Sequence, residues 1–184
     1  MPPSSPPPPD LTLLNAPFTA LTALTGAAGT LADALPVPGL RLMAAGGDLD
    51  LRWSSPRDRL LEVTGTAAAP ADWLALRLTL DLPDLAGLAG VGLWLRGAAD
   101  PALTLRAVLR SGAPSDSGDG HLDAAQDRQI LCHATASDHT ALWPTDTTPD
   151  LPATAPWREL LLFLPPHRPV TLSLHALRVF LVPA

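Results

Sequence analysis

Tyrosine and lysine are both absent from this chain of 184 residues, and all twelve basic residues are arginine. The missing lysine fits a genome biased towards G/C-rich codons, which also favours alanine, proline and glycine. It is also compatible with a choice of arginine for planar, bidentate contacts with carboxylate or phosphate, and since both can hold at once the absence of lysine alone decides nothing. A single cysteine, Cys132, rules out an internal disulfide, and its apolar surroundings mark it as a buried thiol. No run of eighteen apolar residues occurs, so no membrane-spanning helix is expected. The first residues lack the basic stretch of a standard secretory leader. With a formal charge of −6 and a pI near 5.1, the chain carries no global electrostatic footprint for nucleic acid.

Catalytic signatures are missing too. There is no G-x-S-x-G elbow, no P-loop and no dinucleotide fingerprint. Only two glutamates occur, Glu62 and Glu159, and the sequence marks no pair of carboxyl groups facing one cleft, as a glycosidase requires. His121, His133 and His139 lie near Cys132, but no C-x-x-C or H-x₃-H spacing supports zinc. The expectation is therefore a protein that binds or builds and not an enzyme, with a glycan-active hydrolase or lyase left open.

What is present is period-2 alternation. Leu74, Leu76, Leu78, Leu80 and Leu82 share one face of a strand, with Trp73, Ala75, Arg77, Thr79 and Asp81 on the other. Val91, Leu93 and Leu95 oppose Gly92, Trp94 and Arg96; Leu103, Leu105, Ala107 and Leu109 oppose Thr104, Arg106, Val108 and Arg110. As a helix, leucines two apart would scatter around the axis, so strand is the reading that makes one face. Similar alternation marks DLDLRW from Asp48 and LLEVTGT from Leu60. The segment from Gln129 to Ala134 is read as a further strand. WRELLLFL, apolar on both faces, predicts a central strand covered on both sides. In PVTLSLHALRVFLV the apolar parity switches between Leu174 and Leu177, which predicts a bulge near His175 and Ala176.

These segments predict an all-β, two-sheet antiparallel jelly-roll sandwich of about eight strands over residues 48–184. Residues 1–10, with six prolines, predict an extended leader. Residues 11–47 are apolar and poor in charge. Leu21, Leu24, Ala28, Leu31 and Leu35 step by 3, 4, 3 and 4, as on one helical stripe, although Gly26 and Gly29 oppose it. The segment is read either as a short docking helix, for a protein partner or self-association, or as an irregular apolar cover on the sandwich edge.

A Leu-rich jelly roll with Trp73 and Trp94 on an outward strand face resembles the carbohydrate-binding modules and galactose-binding-like domains. The resemblance is architectural. It implies non-catalytic sugar binding, with Trp73 and Trp94 as stacking platforms and Arg77, Arg96, Arg106 and Arg110 as polar partners. Such faces commonly use tyrosine, which this chain lacks. Independently of the family, flat aromatics stack on sugar C–H patches and arginine attracts anionic groups. Residues i and i+4 on a strand lie about 13 Å apart, so Trp73 and Arg77 could span two sugar units. An acidic polysaccharide, such as a capsule or surface glycan, is therefore the expected ligand. The competing expectation is a second buried face, with the arginines paired to Asp81 or Glu62. Trp143, in a proline-punctuated stretch read as a surface loop, joins the candidate binding residues.

For calcium, DSGDGHLD offers Asp116, Asp119 and Asp123, though not in the D-x-D-x-D-G pattern. The alternative function is a structural subunit of a phage-like particle, spike or cell-surface assembly, docked through the N-terminal segment.

Overall fold

The structure is a computed structural model that describes residues 11–113 and 120–184. It is an antiparallel sandwich of two sheets with one helix. In chain order the elements are α1 (Leu11–Ala23), β1 (Ala28–Thr30), β2 (Leu40–Ala45), β3 (Asp48–Ser54), β4 (Leu61–Ala69), β5 (Trp73–Leu80) and β6 (Leu88–Ala99). There follow β7 (Leu103–Gly112), β8 (His121–Ala125), β9 (Ile130–Cys132), β10 (Ser137–Pro144), β11 (Arg158–Leu164) and β12 (Val170–Pro183). Sheet I has the order β1-β3-β4-β12-β6-β10, and sheet II the order β2-β5-β11-β7-β8, with β9 also paired to β7.

The alternating leucines make the core. Leu74, Leu76, Leu78 and Leu80 of β5 are buried with Leu160, Leu162 and Leu164 of β11 and Leu103, Leu105 and Leu109 of β7. Val91, Leu93 and Leu95 of β6 meet them from sheet I, with Leu177 and Val179 of β12. Each such side chain contributes about 1.5–3 kcal/mol relative to exposure. The doubly apolar segment is indeed central, because β11 pairs with β5 on one side and β7 on the other. The parity switch is a register shift of β12 against β6 between Leu174 and Ala176. It turns Leu177 and Val179 back inward.

Residues 11–47 differ from expectation. β1 pairs with β3 and β2 with β5, so this segment supplies a strand to each sheet and the sandwich begins well before Asp48. The helix spans Leu11–Ala23, and of the stripe beginning at Leu21 only that first residue is helical. Gly26 takes φ 93°, a conformation open to glycine that stops the helix from running on. α1 buries Leu14, Phe18 and Leu21 in the protein's own core. It also takes the place of a strand. β4 pairs with β12 only as far as Leu174, and beyond it the Asn15 side chain serves the open edge. Asn15 Nδ2 donates to the Val179 carbonyl and Asn15 Oδ1 accepts from the Val179 N–H, both at 2.9 Å.

Arg158 is wholly buried at the end of the sandwich. Its Nε donates to the Leu82 carbonyl, its Nη1 to Ser111 Oγ and its Nη2 to the carbonyls of Pro152 and Ala153. Burial lowers its pKa from the usual arginine range, but this set of acceptors suits the charged form. It ties the 82–84 turn and the 151–156 loop to β11 and β7. Cys132 is buried and reduced, its thiol pKa raised by desolvation.

Candidate ligand-binding surfaces

Strand pairing decides which outward residues share a surface. On sheet II the outward positions of β2, β5, β11, β7 and β8 line up in three rows across the sheet. Met43, Ala75, Phe163 and Arg106 form one. Arg41, Arg77, Leu161, Val108 and Ala125 form the next. Thr79, Glu159, Arg110 and Asp123 form the third. Ala75, Leu161 and Val108 are buried although they point away from the core, so they make an aliphatic floor beneath the long stems around them.

The two ends of this face differ. At one end Trp73, 36% exposed, lies two residues beyond Ala75 and diagonal to half-buried Phe163, and the Arg106 guanidinium sits 5.9 Å from the Phe163 ring centroid. At the other end the arginines are paired. Arg77 bonds Glu159, and its Nη1 also lies 3.8 Å from Met43 Sδ. Arg110 Nε and Nη2 donate to Asp123 Oδ1 and Oδ2 at 2.7 and 2.8 Å, a bidentate pair. That pair lowers the Asp123 pKa and raises that of Arg110. Arg41 and Arg106 are exposed and belong to no ion pair among the described residues.

Four of the expected binding residues, Trp73, Arg77, Arg106 and Arg110, therefore share one surface. The others do not join them. Trp94 and Arg96 lie on β6, which belongs to sheet I, so they face away from the opposite side of the sandwich. There Arg178 lies over the Trp94 ring at 5.9 Å, and Arg96 Nη1 donates to Asp138 at 3.1 Å. Phe180 lies across Gly92, where a Cβ would meet its ring at 2.1 Å. The expected pairings to Asp81 or Glu62 do not occur for these arginines; Glu62 pairs with Arg59 instead.

Trp143 is a core residue and not a loop platform. It sits on β10, 1% exposed, with its indole N–H donating to the Ala124 carbonyl at 2.8 Å. Asp123 is no free calcium ligand, because a guanidinium already occupies both carboxylate oxygens. Asp116 and Asp119 lie outside the described residues, and no metal-binding group of three occurs among the described ones. Sequence reasoning missed Arg41 and Phe163. The alternation Leu40, Arg41, Leu42, Met43 was a usable signal for β2, whereas the outward parity of Phe163 is hidden in a continuous apolar run.

No family model and no curated protein matches the sequence. Solved structures do share its fold. The family 30 carbohydrate-binding module of a cellulosomal cellulase from Clostridium thermocellum superposes with a TM-score of 0.54 at 11% identity, covering 84% of this chain and 97% of that one. The N-terminal cellulose-binding domain of a β-1,4-glucanase from Cellulomonas fimi gives 0.51 at 20% identity, over 83% and 92%. The Stig cyclase Fisc from Fischerella sp. TAU, in complex with a pyrrolidinylidene-indole, gives 0.57 at 15% identity, over 92% and 96%. Carbohydrate-binding modules predominate among these neighbours. At such identities the likeness is one of architecture, and the cyclase shows that the architecture also carries an enzyme.

Proposed function

We propose that this protein is a non-catalytic binding module for an acidic polysaccharide, such as a capsule or surface glycan, held across the outer face of sheet II. The observation that carries the reading is the charge of that face. Its strands present Arg41, Arg77, Arg106 and Arg110 against only Glu159 and Asp123, in a chain whose formal charge is −6. Trp73 and Phe163 add aromatic surface at one end, over which the apolar faces of sugar rings stack. Arg41 and Arg106 are placed to meet carboxylate or sulfate groups. Arg77 and Arg110 are held in fixed orientations by their carboxylates, so less freedom is lost when their remaining N–H groups meet a ligand. The preponderance of carbohydrate-binding modules among structures of this fold supports the same reading.

The structural-subunit reading rests on the proline-rich leader and the apolar segment after it. The leader, residues 1–10, lies outside the described residues, and residues 11–47 supply β1, β2 and a helix packed on the protein's own core.

The test is binding of the full chain to hyaluronan, alginate and polygalacturonate, with dextran as the neutral control. Trp73→Ala and Arg106→Gln should each weaken binding to the preferred acidic polymer about tenfold, a loss of about 1.4 kcal/mol. Raising salt from 0.05 to 0.5 M should weaken it further. Equal affinity for dextran, or affinity untouched by either substitution, would remove this face from consideration.

A further inference from the structure

A groove of about 500 Å³ opens along a margin of the sandwich, beside the β8 edge of sheet II and clear of its arginines, Arg41, Arg77, Arg106 and Arg110. One wall is β10, the last strand of sheet I, and the other is the segment from Ala125 to Ile130 between β8 and β9. The turn after β10 closes one end with Thr147, Thr148 and Pro149. Its volume falls within the roughly 300–1,000 Å³ of small-molecule sites.

Two hydrogen bonds fix the walls relative to each other. Trp143 Nε1 donates to the Ala124 carbonyl at 2.8 Å beneath the groove. Gln126 Nε2 donates to the Leu142 carbonyl at 2.8 Å at its rim, leaving Gln126 Oε1 as an acceptor. Each bond joins a residue of β10 to the β8 side, so the cleft exists before any ligand arrives.

The lining is polar but balanced in charge. Asp127 and Arg128 oppose each other in sign, and the remaining polar groups are the amides of Gln126 and Gln129, the threonine hydroxyls and His139, whose Nε2 is hydrogen-bonded to Ser137 Oγ, set among apolar residues such as Ile130 and Leu142. Among the described residues, the side chains of Asp127, Arg128, Gln129 and Thr147 enter no hydrogen bond or ion pair. This contrasts with sheet II, where Arg77 and Arg110 are already engaged. Donors and acceptors are both free here, close together and without net charge. A ligand that satisfies such a set presents alternating hydroxyl donors and acceptors and carries no charge.

We propose that this groove is a second binding site, taking an uncharged polyhydroxy ligand of the size of one or two sugar rings. The inference stands independently of the acidic-polymer reading, since it concerns other residues and a ligand of different charge. It is tested by amide chemical-shift titration of the full chain with methyl β-glucopyranoside, methyl α-mannopyranoside, methyl β-galactopyranoside and cellobiose, and with sodium glucuronate for comparison.

At least one neutral sugar should give saturable shifts at Asp127–Ile130 and Thr145–Thr148, with Trp73 and Arg106 unmoved. Arg128→Ala and Gln129→Ala should each raise its Kd tenfold or more, while Trp73→Ala leaves it unchanged. Both altered residues are exposed, so the fold should persist in the same spectra. The proposal is overturned if none of the four sugars shifts the groove amides, if both variants bind as well as the parent, or if glucuronate binds there more tightly.

Discussion

The outer faces of the two sheets draw on the same residue types and arrange them to different ends. The strands of sheet I place Arg52, Arg96 and Arg178 among Asp48, Asp50, Glu62 and Asp138, so the face is close to neutral. Its aromatics are occupied, with Phe180 over Gly92 and Trp94 under Arg178. The strands of sheet II place four arginines beside two carboxylates, over a floor of Ala75, Leu161 and Val108, with Trp73 at the end. What separates the two faces is the balance of charge: four arginines against two carboxylates leave sheet II with a surplus of cations, whereas three against four leave none on sheet I.

The largest effect expected belongs to Trp143, a core tryptophan on neither outer face and more deeply buried than Trp53. Trp143 fills the core between β10 and β8, so Trp143→Ala should cost about 3–5 kcal/mol in urea or thermal unfolding. Loss of ligand affinity without loss of stability would instead return Trp143 to the binding surface.

Next in size is Gly92→Ala. The added methyl would meet the Phe180 ring, which must lift from sheet I at a cost of about 1–3 kcal/mol. Affinity for acidic polysaccharide should stay as it was, since sheet II lies on the other side of the core. A matching fall in affinity would mean that the aromatics of sheet I take part in binding, and the contrast between the faces would be lost.

The mixing of these faces in a reading of the sequence has a definite physical origin. Alternation is local: it states that Trp73 and Arg77 point together, and that Trp94 and Arg96 do, and both statements hold. Sheet membership is long-range. β5 and β6 follow each other in sequence but join different sheets, β5 between β2 and β11 and β6 between β12 and β10. Nothing within residues 73–110 encodes that choice. The bulge after Leu174 and the central place of β11 were legible because each leaves a local mark, a parity switch or an apolar run. β10 was hidden because its alternation of His139, Ala141 and Trp143 ends in a segment dense with threonine, aspartate and proline. β1 and β2 were masked by the glycines and prolines around them.

The smallest effect concerns the ion pairs that distinguish the faces. Asp123 is held bidentately by Arg110, which keeps its pKa below the ordinary aspartate value of about 3.9. A carboxylate with a lowered folded-state pKa stabilises the protein above that ordinary value, and the contribution is lost as pH falls through the folded one. Both side chains are about a quarter to a third exposed, so solvent screening limits the pair to about 0.5–1 kcal/mol. Asp123→Asn should therefore be less stable than the parent by that amount at pH 7. The gap should close as pH falls below about 4 and narrow in 1 M salt. Its counterpart on sheet I, Arg96 with Asp138, is a single 3.1 Å contact between half-exposed side chains. Asp138→Asn should leave stability within error at every pH. Equal losses in the two variants, or a loss in Asp123→Asn that persists at pH 2, would show that the pairs on the two faces do not differ in the way the geometry requires.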